Sequence, residues 1–595
     1  MKRLEPILAH RSAPWVIAAV GLLLLTPSID DALVLDDHIL MLQQRDPPPI
    51  EGLAHRPWDL FTFTTGEPED NRRMIDHGVL LPWWSHPELR VAFLRPLSSL
   101  THRLDGWLWP DRPARMHVHS LLWFALLLGV VGSLYRRWLE PGWVAALGFL
   151  LFAVDDAHGA TVSWIANRNA VVSLALAMPA LHLHARHRRT GSAMPLAGAV
   201  VLFAAALLAG EMALSVLGYL AAHALWLDRG RAGRRLGALV PYAAVVVGWR
   251  VAYHQLGYGA FGSGGYHDPG HEPLAFAAAL ARNLPLLLGA QVGLPLADHG
   301  FWGPPALRPV LIGVALVTAA GVLALSVRLL RQEPTARFWA TGMVLAAVPV
   351  AASVPGERLL LGVGVGGSAF MALLLVALAQ QVRERIARHR LARAGLIGLV
   401  GVHLVLAPAL LPLRARSMAI LGGALREADR SLPSDSGVED ATVVIVQAPV
   451  DVFASYIQVR RAQEATPRPA HLSWLATASS PLTITRAAPR VLRLAPDAGF
   501  LYAPPEQHYR SPTAAFHPGQ RIPMPGFSAV VRRVTPDGRP RTVDFRFDDP
   551  LDAPDLLLRV WDDGAYVPFD PPPVGASIRL PARDLFGTLQ AHVHP

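Results

Sequence analysis

The 595-residue sequence contains no cysteine. That excludes disulfide scaffolds, cysteine-ligated zinc fingers, iron–sulfur clusters and thiol catalysis. Charge is scarce as well. Asp, Glu, Lys and Arg make up 17% of the chain, against about 25% in an ordinary soluble protein. Apolar residues make up 52%, many in runs long enough for a membrane helix. This combination excludes a soluble enzyme, a disordered chain and a coiled coil. Lysine occurs only at Lys2, so arginine carries nearly all the positive side of the net charge of +9. The arginines cluster in short loops between apolar runs, which is how membrane topology is set. No nucleic-acid partner is therefore expected. The chain is too long for one core, so a membrane bundle with an added domain is the expected plan.

About 20 mainly apolar residues are needed to cross a bilayer as a helix. The first run is Ala13 to Leu35, after Lys2, Arg3 and Arg11, and reads as an uncleaved anchor. Later runs begin near His117, Trp143, Ala170, Pro195, Met212, Leu236, Pro309, Phe338, Leu359 and Ala394, making about eleven spans. Every second connection is short and arginine-rich: Arg136–Arg137, Arg186–Arg189, Arg229–Arg235, Arg328–Arg337 and Arg383–Arg393. These loops and the N-terminus are expected in the cytoplasm. Residues Glu272–Leu296 would reverse that pattern if they crossed. They read as an outer re-entrant or interfacial segment interrupted at Pro285 and Pro295.

Residues 1–413 thus form a polytopic transmembrane helical bundle with a long outer loop at 36–116. Residues 414–595 have no spanning run. Short β-type stretches stand at Thr442–Gln447, Ser528–Val534, Thr542–Phe547 and Leu556–Trp561, with Asp-Gly turns at Asp537–Gly538 and Asp563–Gly564. An odd number of spans puts this β-rich domain outside the cytoplasm.

Carboxylates near a membrane are costly and often functional. Asp30–Asp31, Asp36–Asp37, Asp155–Asp156, Glu211 and Glu357 all fall on the expected outer side, with Arg95, Arg168, Arg358, His38, His117 and His158 close by. Carboxylates can take a proton or hold a metal, and arginine grips phosphate by paired hydrogen bonds. The set suits a phosphate-bearing, membrane-borne substrate attacked by a hydroxyl.

The order of these pieces carries a resemblance. Leu33–Met41 reads LVLDDHILM, Phe93–Pro110 reads FLRPLSSLTHRLDGWLWP, and Met116–Trp123 reads MHVHSLLW. Leu150–Val171 reads LLFAVDDAHGATVSWIANRNAV, Leu208–Val216 reads LAGEMALSV, and Val354–Phe370 reads VPGERLLLGVGVGGSAF. The series resembles the GT-C superfamily of polytopic glycosyltransferases, and is most similar to the transmembrane O-mannosyltransferases that carry tetratricopeptide repeats, over about residues 15–410. The repeats are absent here.

The resemblance implies sugar transfer from a polyprenyl-phosphate donor to a glycan, lipid or protein acceptor on the outer face, by inverting displacement. It implies Asp36 or Asp37 as the base, with Arg95, His117, His158, Arg168, Glu211, Glu357 and Arg358 around the substrate. Asp155–Asp156 replace the family's His-Pro, which leaves them as candidate ligands of a possible divalent metal ion; no other cofactor is expected. The expected setting is a bacterial inner membrane, with the β-rich domain periplasmic or extracellular. Two alternatives are a lipid-linked-glycan flippase, which needs polar groups at mid-membrane and broken helices, and a non-catalytic assembly or sensor protein.

Further features have structural expectations. Gly362–Gly367 should serve close helix packing. Tyr258–Tyr266 reads as a flexible outer loop that could cover a substrate. Trp58, Trp83 and Trp84 are placed at the membrane interface or against a sugar. His182, His184 and His187 belong to a solvated helix end.

Overall fold

The computed structural model describes residues 5–53, 56, 58–385, 389–583 and 586–589. Lys2, Arg3 and Arg388, used above for orientation, lie outside them. Six helices among these residues are long and apolar enough to cross a membrane, and three further apolar helices are shorter. Several start on a proline, as at Pro96, Pro113, Pro273 and Pro334. Proline's fixed φ and missing N–H cost nothing in the first helical turn.

The helices share one apolar core, centred on the spans Pro113–Trp138, Arg168–Thr190 and Leu360–Arg383. The glycine-rich start of Leu360–Arg383 packs as expected. A Cβ on Gly366 would come within 2.8 Å of the Trp339 carbonyl and 2.9 Å of the Tyr219 hydroxyl. His184 departs from its expectation, since it is buried and bonded to the Tyr242 hydroxyl at 3.2 Å.

The Glu272–Leu296 segment is partly corrected. Pro285 does not interrupt it; one helix runs Pro273–Val292 and ends at Gly293. Its contacts with the Arg308–Gln332 helix run in parallel. Asn283 meets Arg308, Gly289 meets Ala315, and Gly293 meets Thr318. The chain then returns, and Ala297 N–H donates to Glu357 at 2.7 Å. By length and composition this helix could span a bilayer, but it enters and leaves at one end of the bundle.

At that end lies the β-rich region. The strands are β1 (Thr62–Thr65), β2 (Arg90–Ala92), β3 (Gly259–Phe261), β4 (Thr442–Gln447), β5 (His471–Trp474), β6 (Leu482–Ala488), β7 (Val491–Pro496), β8 (Arg521–Met524), β9 (Phe527–Val534), β10 (Pro540–Phe547), β11 (Leu556–Asp562), β12 (Ala565–Pro568) and β13 (Ser577–Leu580). They form an antiparallel β1-β2-β3 sheet, a six-stranded sheet of order β13-β6-β7-β10-β9-β8, and a four-stranded sheet of order β12-β11-β4-β5. The last contains parallel pairs β11·β4 and β4·β5, with the Ile457–Glu464 helix crossing over between β4 and β5. The β11–β12 hairpin turns at Asp563 and Gly564, both at positive φ, as a two-residue Asp-Gly turn requires.

Two sequence expectations change here. Trp83 and Trp84 are buried (2% exposed each). Trp83 donates to the Leu475 carbonyl at 3.0 Å and packs against Phe500, Phe516 and Phe545. Only Trp58 of the three is exposed. Indole rings bury large apolar area and still find an acceptor, so this pair fixes the first loop into the β-rich core. That core joins residues of 34–91 to residues of 421–569. The 413/414 boundary therefore divides the chain but not the packing. The Tyr258–Tyr266 loop is no free flap. It forms β3, and Ser263, Gly264 and Gly262 bond to the backbone of His508, Gln507 and Ser511.

Candidate active site

The acidic pair after the first helix splits into two roles. Leu35, just before it, sits at φ 52°, a costly backbone region for a branched residue. The Asp36–Leu42 helix starts there. Asp37 is buried. Its Oδ1 accepts from Ala166 N–H at 2.7 Å and its Oδ2 from Val34 N–H at 3.0 Å. Burial pushes its pKa up to about 7. Asp37 thus joins the first loop to the turn before Arg168, and both oxygens are occupied. In this arrangement Asp37 ties two backbone segments together.

Asp36 is half-buried and differently placed. Its Oδ1 accepts a 2.6 Å hydrogen bond from the Tyr456 hydroxyl of the β-rich region. Burial raises its pKa; the Tyr456 bond and the charges of Arg358 and Arg95 oppose the rise.

Arg95 and Glu211 pair as neighbours of this carboxylate, with Nε 2.8 Å and a terminal nitrogen 2.7 Å from Glu211 Oε2. The guanidinium lies 4.3 Å from the Phe93 ring centre and 5.0 Å from that of Phe61. Tyr253 donates to Glu211 Oε1 at 3.3 Å. Arg358 stands apart: it lies 5.4 Å from the Trp164 ring centre and forms no salt bridge among the described residues. His508 is half-buried and held down to about 4 by desolvation and the Arg358 charge, so it is neutral at neutral pH. Its ring meets Tyr266 at 5.2 Å, and Tyr266 meets Phe93 at 5.4 Å. Asp36, Arg95, Glu211 and Arg358 therefore gather in an aromatic-lined place roofed by Tyr456 and His508.

The other expected site residues are structural. Arg168 is 1% exposed and bonds Asp105 at 2.5 Å, Ser120 at 2.9 Å and the Met116 carbonyl at 2.8 Å. These bonds take up the guanidinium's hydrogen-bonding groups within the protein. His117 donates to the Asp31 carbonyl at 3.1 Å. His158 bonds the Phe152 carbonyl at 2.7 Å between the Phe124 and Phe152 rings. Glu357 accepts from Ala297 N–H and pairs with Arg414 at 2.9 Å.

Arg414 also takes Asp156 at 2.8 Å, while Asp155 accepts from Ala157 N–H at 3.0 Å and Gln291 at 3.4 Å. Burial beside Asp155 pushes Asp156 up to about 6. Among the described residues no group of three His, Asp or Glu could hold a metal ion. Asp155 and Asp156 are held by these protein partners.

Sequence reasoning missed Tyr456, Asp105 and Arg414. The first is remote in the chain, and nothing local marks it. Asp105 does carry a signal: it lies on the face of the Pro96–Leu108 helix with Ser98 and His102, all buried, while Leu100, Leu104 and Trp107 are exposed.

No family model and no curated protein matches the chain. Six helices among the described residues have the length and apolar composition of membrane spans. Among solved structures it is similar to ArnT from Cupriavidus metallidurans. The undecaprenyl phosphate-bound form aligns at 14% identity over 76% of this chain and 85% of that one, with a TM-score of 0.34. The apo form aligns with the same identity and coverage and a TM-score of 0.35. The apo oligosaccharyltransferase of Archaeoglobus fulgidus aligns at 12% identity over 76% and 64%, with a TM-score of 0.34. Superpositions this loose carry no weight for the chemistry, which rests on the side chains described above.

Proposed function

We propose that the protein is a membrane glycosyltransferase of GT-C type that moves a sugar from a polyprenyl-phosphate donor to an acceptor hydroxyl. In this reading Asp36 takes the acceptor proton. The acceptor oxygen then forms its bond to the anomeric carbon as the bond from that carbon to the phosphate oxygen breaks. The polyprenyl phosphate leaves with the electron pair, and Arg358 holds its charge. One displacement inverts the anomeric centre. A carboxylate made more basic by burial suits proton abstraction near neutral pH. Arg95 is already committed to Glu211 and orients the acceptor side. The outer face of a bacterial inner membrane is the expected place for this chemistry.

The observation that carries the reading is the contrast between the two acids and between the two arginines. Asp37 and Arg168 have their polar atoms held by the protein, whereas Asp36 is held through one oxygen by Tyr456 and feels the Arg358 charge, and Arg358 forms no salt bridge among the described residues. The test is transfer by the purified chain from a polyprenyl-phosphate-linked sugar, with Asp36→Asn as control. Transfer that needs Asp36 supports the proposal; equal transfer by that variant overturns the assignment.

A flippase is the second reading. The re-entrant Pro273–Val292 helix and the Gln291–Asp155 contact within the bundle favour it. Movement of a labelled lipid-linked sugar across liposomes holding the protein, without any transfer, would decide for it.

A further inference from the structure

A cleft of about 180 Å³, whose lining does not include Asp36, lies in the β-rich region. Its place follows from the sheet. β11, β4 and β5 are adjacent and parallel. Pro449 and Asp451 follow the end of β4, and Thr477 follows the end of β5. Arg583 pairs with Asp562, the last residue of β11, at 3.5 Å. The cleft therefore opens at the carboxyl ends of three parallel strands, where open α/β sheets hold their ligands. Its opposite wall comes from the bundle: the chain returning from the re-entrant helix supplies Phe301 and a half-exposed Trp302.

The polar lining is unevenly satisfied. Glu506 accepts from the Thr477 hydroxyl and from Tyr502 N–H at 2.8 Å. Asp451 Oδ1 accepts from Trp474 Nε1 at 3.1 Å. Asp451 is 1% exposed, and its Oδ2 has no hydrogen-bond partner. A buried, unpaired carboxyl oxygen calls for an explanation.

We propose that this cleft binds a carbohydrate unit, with one sugar ring laid on Trp302 and its hydroxyls exchanging hydrogen bonds with Asp451 and its neighbours. The lining offers an anion no free cation, because Arg583, the one cationic side chain among its lining residues, is paired with Asp562 and Asp563. Burial raises both Asp451 and Glu506, and carboxyl oxygens accept hydrogen bonds from sugar hydroxyls in either protonation state. A flat indole next to polar groups matches the apolar face and polar rim of a sugar ring.

Binding here is separate from turnover, so it stands or falls independently of the transferase reading. The experiment is saturation-transfer NMR with calorimetry on the full chain in lipid nanodiscs, using cellobiose, maltose, chitobiose and methyl mannoside. At least one should bind saturably with Kd on the order of 1 mM. Trp302→Ala should weaken it about tenfold, or 1.4 kcal/mol, in protein whose melting temperature shows that it is folded. Asp451→Asn should do the same with an unchanged melting temperature. The proposal is overturned if no sugar in the set binds, if binding survives Trp302→Ala unchanged, or if ethanolamine or calcium displaces the sugar and binds more tightly. Should Asp451→Asn fail to fold, the Trp302→Ala result alone decides.

Discussion

Asn substituted for each of two adjacent aspartates should give opposite results. Asp37 accepts two buried backbone N–H groups, at 2.7 and 3.0 Å. Asn has one carbonyl oxygen and one NH2 group, so either orientation turns a donor toward one backbone N–H. Leaving that buried donor unpaired costs about 1–3 kcal/mol, a drop of a few degrees in melting temperature. The cost depends on pH. The folded pKa of Asp37, about 7, lies above its ordinary value of 3.8. Its contribution to stability is therefore full in acid and declines as pH rises through about 7. Asp37→Asn abolishes that slope, so its melting deficit should be larger near pH 5 than near pH 8. The folded fraction should keep most of its transfer activity. Asp36→Asn keeps an acceptor for Tyr456 and should melt normally, but lose about 10²–10⁴-fold in transfer rate as the base disappears. Scanning calorimetry beside a radiolabelled-sugar assay reads both. The reasoning fails if Asp37→Asn abolishes transfer at a normal melting temperature while Asp36→Asn remains active.

Other perturbations follow from the same contacts. The Tyr456 hydroxyl opposes the burial-driven rise of the Asp36 pKa, so Tyr456→Phe should move the acid limb of the pH–rate profile to higher pH; an unmoved limb refutes the coupling. Arg358→Ala should lower kcat/KM about 10–100-fold, mainly through KM for the polyprenyl-phosphate donor, with Arg358→Lys intermediate. A loss confined to acceptor KM would assign Arg358 to the other substrate. Arg168→Ala leaves the buried Asp105 with His119 as its remaining side-chain partner and should cost about 3–5 kcal/mol. Pairing Arg168→Met with Asp105→Leu should recover much of this in thermal melts.

The fold was legible where local pattern is enough. Apolar runs marked the bundle because a helix in lipid must be apolar along its whole length. The β-type stretch Thr442–Gln447 is β4, residue for residue, and the Asp563–Gly564 turn closes the β11–β12 hairpin. The parallel β11·β4·β5 arrangement was not legible, since its partners are separated by a helix and by more than a hundred residues. Nor was the burial of Trp83 and Trp84, because an indole reads alike at a membrane interface and in a core. Span counting met the same limit at Pro273–Val292, whose length and composition suit a crossing but whose contacts turn it back.

The sequence by itself determined that carboxylates and guanidinium groups would collect at one end of an apolar bundle, because charge is excluded from the spans and must fall at their ends. It also marked Asp36, Arg95, Glu211 and Arg358 among the candidates. Only the tertiary structure decided which of these groups are free to act. Asp37, Arg168 and Glu357 look equally reactive in the chain, yet each is consumed by a partner: Ala166, Asp105 and Arg414. Residue type sets what a side chain can do; whether its hydrogen-bonding capacity is already spent depends on neighbours that only folding brings within 3 Å.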